Sequence, residues 1–294
     1  MRPLDILLLI CVAAVWGFNF VVIKLGIGSF PPLLFSGLRF LFAALPLVFF
    51  IGKPDVPLRI IIGIGLVLGV VKFSLLFIGM DIGVSPGLAS LLLQSQAFFT
   101  VILGMMVYGD RPRPLQIVGM LVAFAGIAVI ASTVDASFTL TGLTLAIGAA
   151  IAWAFSNMLM RKAGKVDMLQ LMVWVSLVPP LPLFLISATF EGWDRDMAAL
   201  SHLSWQGIGA VAYIAYFATI FGFAVWGAMI RRYGTATVAP FSLLVPIFGM
   251  SSSAIVFGEA FGPLRVLAAL LIVIGLILNV VNPAWFSRTT SPAN

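Results

Sequence analysis

The strongest constraint on this chain is that one apolar segment occurs twice. Residues 108–126 are echoed by residues 257–275, and every matched position lies 149 residues later without a gap. The matched positions are Tyr108, Gly109, Asp110, Pro114, Leu115 and Gly126 in the first copy and Phe257, Gly258, Glu259, Pro263, Leu264 and Gly275 in the second. A shorter echo links residues 14–19 to residues 152–157. Two apolar copies of one unit are typical of transporters built from internal repeats.

The composition places the chain in a lipid bilayer. The 294 residues are 62% hydrophobic and 9% charged, and the mean hydropathy is +1.18, whereas a soluble domain carries about 25% charged residues. The net charge of +6 does not indicate a nucleic-acid partner, because the basic residues stand singly or in pairs between apolar runs. The sequence contains neither a Walker loop nor a metal-ligand cluster, so we expect no ATP, no metal and no other cofactor.

Ten apolar runs are long enough to cross a membrane, which needs roughly 20 residues. Their apolar character is continuous rather than alternating, and this favours helices over the strands of a barrel. The predicted spans are residues 4–23, 32–51, 58–80, 86–108, 115–134, 140–160, 168–188, 205–229, 236–257 and 264–282. The acidic segment 189–204 is predicted to be a solvated loop.

The distribution of Lys and Arg predicts the orientation of the chain. With a cytoplasmic N-terminus, eleven of the sixteen basic residues lie at cytoplasmic span ends and three at the opposite ends. The fold expected is an all-α membrane protein of ten transmembrane helices with both termini cytoplasmic. Its parts are a first repeat (1–137), a second repeat (138–284) and a short cytoplasmic tail (285–294). Because each repeat has five spans, the two must be inverted, which permits alternating access to a site near the midplane.

A set of residues in this order resembles the EamA-type metabolite exporters of the drug/metabolite transporter superfamily. The set comprises the segment 16–19 on helix 1, Arg39 on helix 2, the pairs Gly109–Asp110 and Gly258–Glu259 closing helices 4 and 9, and the glycines Gly126 and Gly275. The resemblance covers almost the whole chain and implies an inner-membrane exporter with a cavity formed by helices 1, 3, 4, 6, 8 and 9. Within the family the nearest resemblance is to aromatic amino-acid exporters. Pro246 fits the family pattern, but its repeat counterpart is Ala97, so the two halves are expected to bend unequally.

Lys72 is the foremost candidate for substrate binding, because it lies well inside helix 3. A charge near the bilayer centre is costly and normally faces protein or a water-filled cavity. Lys72 would bind a substrate carboxylate or couple its protonation to transport. The structural alternatives are hydrogen bonds to carbonyl groups and extension of the side chain to the membrane surface. For Arg39, a structural clamp between helices is preferred over anion contact.

Further candidates are aromatic and polar residues within the apolar runs. Trp16 and Trp153 are repeat counterparts in mid-span, and they either stack on the substrate or pack between helices. The polar groups either contact the amino and carboxyl groups of a substrate or hold helices together; they are Asn19, Gln94, Ser156, Asn157, Tyr213 and Ser242. The prolines that interrupt helices 4 and 9 either form hinges or static kinks; they are Pro86, Pro240 and Pro246.

The positions of the acidic residues narrow the function. All ten lie at span ends or in loops, which argues against drug exporters that depend on a buried glutamate. An intramembrane transferase would also need catalytic acids or histidines in the spans, so we do not expect an enzyme. A passive channel stays open as an alternative, and a sugar-phosphate exchanger would need convergence of Lys72 and Arg39.

The sequence therefore predicts a secondary transporter that exports small metabolites, most simply amino acids; aromatic amino acids are the finer form of this expectation. Other amphipathic metabolites or drugs are the alternative substrates. The expected partners are a small-molecule substrate and the lipid bilayer, and internal pseudo-symmetry favours a monomer.

The orientation can be tested with alkaline phosphatase, which is active only outside the cytoplasm. A fusion after Arg111 should be inactive, because the basic loop stays inside. A fusion after Ala260, in the repeat-equivalent loop, should be active. Equal activity of the two fusions in cells would contradict the inverted arrangement.

Overall fold

Ten helices dominate the computed structural model, which describes residues 1–45, 47–133 and 138–280. Each is long and apolar enough to span a membrane, so the predicted all-α class with ten spans is confirmed. The helices are α1 (Pro3–Ile27), α2 (Pro32–Phe49), α3 (Leu58–Asp81), α4 (Pro86–Tyr108), α5 (Pro114–Ala131), α6 (Leu140–Ala163), α7 (Met168–Ser201), α8 (Trp205–Tyr233), α9 (Ala239–Phe257) and α10 (Pro263–Val280). The predicted tail 285–294 lies outside the described residues, as do positions 46, 134, 281 and 282 of the predicted spans.

The prediction of a solvated loop at 189–204 is wrong, because α7 continues through a π-helical turn to Ser201. Glu191 accepts hydrogen bonds from the backbone N–H groups of Leu33 (3.0 Å) and Leu34 (3.3 Å). Asp196 is buried, and Ser187 Oγ lies 2.8 Å from its Oδ1 and 2.6 Å from Glu191 Oε2. Glu191 therefore caps the N-terminus of α2, where unpaired N–H groups favour a carboxylate, and Asp196 is buried beside Ser187.

Four helices have irregular turns at related places in the two halves. A π-helical turn occupies Gly65–Lys72 in α3 and another occupies Tyr213–Phe221 in α8. A 3-10 turn occupies Leu93–Ser95 in α4 and another occupies Ala239–Leu243 in α9. Such turns shift backbone carbonyl groups out of the regular ladder, and in a membrane protein these groups need partners from side chains or ligands.

The helix contacts follow a regular exchange between the halves. Each helix of α1–α5 corresponds to the helix five places later, and each of α6–α10 to the helix five places earlier. By this correspondence, the α1–α9 contact matches the α6–α4 contact, and the α1–α8 contact matches the α6–α3 contact. The α2–α7 and α5–α10 contacts each join a helix to its own counterpart. This is the pattern expected of two similar five-helix units, and the division into repeats at 1–137 and 138–284 stays a prediction.

Helices α5 and α10 are held together by a close approach of their backbones. A Cβ atom on Gly119 would overlap the carbonyl oxygen of Gly275, and the reverse is also true. Near the same end, Gln116 Nε2 donates to Asn279 Oδ1 at 3.2 Å. Small residues at such a crossing allow extensive van der Waals contact between membrane helices.

Replacing Gly275 with Leu should destabilise the protein. The side chain would force α10 away from α5, and overpacking of this kind costs about 1–3 kcal/mol or more. The matched control is Gly209→Leu, since Gly209 on α8 faces open space. Thermal unfolding of the detergent-purified variants should show a lower melting temperature only for Gly275→Leu, and identical melting of both variants would contradict this packing.

Candidate functional site

One face of the bundle is closed by a carboxylate between α9 and α4. This face lies opposite the N-terminus, because α9 ends there and α4 begins there. Glu259 accepts a hydrogen bond from the backbone N–H of Gly87 at 3.3 Å, and it is also bonded to the hydroxyl groups of Ser85 and Ser253. A carboxylate at a helix N-terminus is stabilised by the unpaired N–H groups and the helix dipole.

Small residues extend this closure toward the middle of the bundle. A Cβ atom on Gly249 would overlap Ser90 of α4, and a Cβ atom on Gly17 of α1 would overlap Phe248. Ser90 is fully buried. Helix α9 therefore lies directly against both α1 and α4 on this side.

The repeat counterpart of Glu259 has a different partner at the other face. Asp110 forms a two-point ion pair with Arg161 of α6, with distances of 2.5 and 3.1 Å. The hydrogen bonds from Arg161 lower the pKa of the exposed Asp110 carboxyl group. The Arg161 guanidinium also lies 4.0 Å from the ring of Tyr108. At this face α4 therefore ends against α6.

The 3-10 turns of α4 and α9 meet between these two faces. Gln94 Nε2 donates to the carbonyl oxygen of Ser242 at 3.1 Å. Pro240 lies within the turn of α9, and Pro246 follows it by one helical turn. Pro86 is the first residue of α4, a position where proline fits a regular helix. The backbone irregularity is therefore at Gln94 in α4 and at Pro240 in α9.

Lys72 lies at the end of the π-helical turn of α3, and its side chain is buried. Its Nζ atom is 3.3 Å from the ring centroid of Phe73 and 4.7 Å from that of Trp153. It makes no hydrogen bond or ion pair with any described residue. Neither bonding to carbonyl groups nor extension to the surface describes this position, so the ammonium group is held by aromatic faces alone.

Arg39 brings a second cation to the same ring. Its Cζ atom is 3.9 Å from the centroid of Phe73, and its side chain is buried. Nη2 donates to Thr219 Oγ1 at 3.1 Å, while Nε and Nη1 are buried without a partner. Thr219 in turn donates to the carbonyl oxygen of Ile214 at 2.8 Å, within the π-helical turn of α8.

Lys72, Arg39, Phe73 and Trp153 form a cluster that we call the cation site. The described ion pairs involve Asp5, Asp110 and Asp167, all at helix ends, and none reaches this site. Each buried donor without a partner costs about 1–3 kcal/mol. A carboxylate is a good acceptor for an arginine, so an anionic ligand would satisfy one of the two unpartnered Arg39 donors and pair with Lys72.

Sequence reasoning ranked Arg39 as a structural clamp and left it out of the predicted site. Its bond to Thr219 agrees with that role, but it uses only one of the guanidinium nitrogens. One feature of the sequence could have indicated a role for Arg39 in the site. Arg39 is a second basic residue deep inside a span, and no span offers it an acidic partner. Its convergence with Lys72 depends on how α2 packs against α3, which no residue pattern specifies.

Two of the predicted residues connect α1 with α8. Trp16 Nε1 donates to the carbonyl oxygen of Ala218 at 2.8 Å, again within the π-helical turn of α8, and its ring is 5.1 Å from that of Trp226. Tyr213 donates its hydroxyl hydrogen to the carbonyl oxygen of Val15 at 3.0 Å. Trp16 therefore contacts α8, whereas its counterpart Trp153 contacts Lys72 within the cation site.

The remaining predicted residues divide into bonded and unbonded groups. Asn157 Nδ2 donates to Gln96 Oε1 at 2.7 Å and to Thr100 Oγ1 at 3.0 Å, which connects α6 with α4. Asn19 Oδ1 and Ser156 Oγ are buried and have no hydrogen-bond partner among the described residues. The latter two side chains are therefore available to a ligand.

Comparison with known proteins shows that the chain belongs to one family of transporters. The EamA-like transporter family matches residues 4–132 and 140–281. A "Probable amino-acid metabolite efflux pump" of Salmonella typhimurium is 40% identical and covers 94% of both chains, and that of Escherichia coli is 38% identical and covers 96% of both. A solved structure titled "Crystal structure of protein" shares 18% identity with a TM-score of 0.65, covering 99% of this chain and 100% of that one, which supports the fold.

The closing role of Glu259 can be tested at Ser90, which the closure buries. In a Cys11→Ser background, Ser90→Cys should react slowly with a membrane-impermeant maleimide applied to intact cells. Adding Glu259→Ala should speed labelling at least tenfold, since each lost hydrogen bond to a charged group contributes about 1.5–3 kcal/mol. Asp194→Ala, which removes an exposed carboxylate of α7 on the same side of the bundle, is the control and should leave the rate unchanged. Equal rates in all three proteins would contradict this gate.

Proposed function

Because the chain belongs to the EamA-like transporter family, we propose that it exports amino-acid metabolites across the cytoplasmic membrane, with both termini in the cytoplasm. The relatives named as probable amino-acid metabolite efflux pumps support this substrate class. The observation that carries the proposal is the cation site, where Arg39 has two buried donors without partners.

In this proposal the substrate carboxylate binds at the cation site. One oxygen accepts a hydrogen bond from Nε or from Nη1 of Arg39, whose N–H groups point to different sides of the guanidinium, and the carboxylate pairs with the ammonium group of Lys72. The guanidinium fork presents its donors in a plane that suits a carboxylate, and Thr219 restrains its orientation. The aromatic faces then exclude water, which strengthens the electrostatic attraction.

The side chain and the amino end of the substrate would contact other predicted residues. Trp153 offers a ring beside Lys72, and an aromatic substrate side chain is the finer form of the proposal. Asn19 and Ser156 would supply polar contacts, because each has a buried oxygen without a partner. The residues proposed to shape the walls through their interhelical bonds are Trp16, Gln94, Asn157, Tyr213 and Ser242.

Transport would proceed by alternating closure of the two faces. The structure has α9 against α4 at Glu259, and the inverted repeats would allow the reverse state with closure at Asp110. The irregular turn containing Pro240, together with Pro246, is the proposed hinge of α9, and Pro86 would mark the start of the moving segment of α4. Such a device is a monomeric secondary carrier that uses an electrochemical gradient rather than ATP.

The site can be tested by counterflow of radiolabelled amino acids and their derivatives into proteoliposomes. Lys72→Ala and Arg39→Ala should each reduce uptake about 10- to 100-fold, because hydrogen bonds to charged groups contribute about 1.5–3 kcal/mol. Lys162→Ala, which removes an exposed lysine of α6, is the matched control and should retain activity. Full activity of both site variants would contradict the cation site, and failure of the wild type to transport any such compound would contradict the function.

A further inference from the structure

With both basic groups protonated, the cation site carries two positive charges, and the single carboxylate of a zwitterion neutralises one of them. Lys72 and Arg39 both lie against the ring of Phe73, at 3.3 and 3.9 Å from its centroid. Both side chains are only 4% exposed. Two positive charges at one ring repel each other in a medium of low dielectric constant, and aromatic faces offset only part of that cost.

The acidic side chains of the neighbouring helices are either bonded elsewhere or, like Asp81 of α3, exposed at a helix end. On the segment that packs beside α2, Glu191 accepts bonds from the backbone of Leu33 and Leu34, and Asp196 lies beside Ser187. The described ion pairs bind three other aspartates at helix ends. A substrate ammonium group would therefore enter a positive field without a described carboxylate to pair with it.

We infer that the favoured substrates are amino-acid metabolites with a net negative charge, such as N-acylated or dicarboxylic amino acids. The inference rests on the proposed function and specifies its substrate class. A zwitterion would neutralise one cation and add another, whereas a net anion leaves a smaller uncompensated charge in the site. Removing the ammonium group by acylation, or adding a second carboxylate, both improve this balance.

Net negative charge also supplies a driving force for export. A monoanion that leaves the cell moves down the inside-negative membrane potential. Each 100 mV corresponds to an outward concentration ratio of about 50-fold for one charge. Export of such a substrate therefore needs no co-transported ion.

The inference is tested with two matched pairs of probes in proteoliposomes: N-acetylphenylalanine against phenylalanine, and glutamate against glutamine. Initial uptake of the anionic member should be at least tenfold faster in at least one pair. A potassium diffusion potential that makes the interior positive should accelerate that uptake. If the zwitterionic members, phenylalanine and glutamine, enter equally fast or faster, and their uptake is unaffected by the potential, the inference is overturned and the proposed function stands. Absence of uptake of all four probes would overturn both.

A charge variant separates substrate selection from a structural role. Lys72→Gln removes one cation but keeps a polar side chain of similar length. The ratio of anionic to zwitterionic uptake should fall at least tenfold, because one positive charge now suits a zwitterion. Equal loss of both activities would overturn the assignment of Lys72 to charge selection. If Lys72→Gln does not fold, the effect of the membrane potential on uptake by the wild-type protein still tests the inference.

Discussion

The burial of Lys72 and Arg39 beside one phenylalanine is the constraint on which the rest of the account depends. A cation in a membrane interior is stable only if protein groups replace the lost water. Here the rings of Phe73 and Trp153 and the hydroxyl group of Thr219 do so in part. Two donors of Arg39 stay without partners. The bundle thus keeps two buried basic groups whose unpartnered donors, among the described residues, can accept an anionic partner.

The irregular turns show how the helices can serve such a site. The π-helical turn of α8 places the carbonyl groups of Ile214 and Ala218 where Thr219 and Trp16 can bond to them. The 3-10 turns of α4 and α9 meet through Gln94. By contrast, α5 and α10 are regular and locked by opposed glycines at 119 and 275. The proposed motion therefore belongs to α4 and α9, against a static α5–α10 pair.

The sequence was sufficient for the architecture because apolar length and charge distribution are local properties. It identified the ten spans, the family and the deep position of Lys72. It failed at α7, where Glu191 and Asp196 suggested a solvated loop. Glu191 caps α2 instead, and Asp196 is buried beside Ser187. It also undervalued Arg39, because the shared contact with Phe73 arises from the packing of α2 against α3. Tertiary partners of polar groups are not encoded in the pattern of a single segment.

The central claim is that the cation site binds the carboxylate of the transported metabolite. The most direct measurement is an electron cryo-microscopy structure of the protein with a transported substrate bound. The account predicts a carboxylate oxygen within hydrogen-bond distance of Nε or Nη1 of Arg39, with Nζ of Lys72 beside the carboxylate. A substrate bound away from α2 and α3, with those two nitrogens of Arg39 still unpartnered, would contradict it.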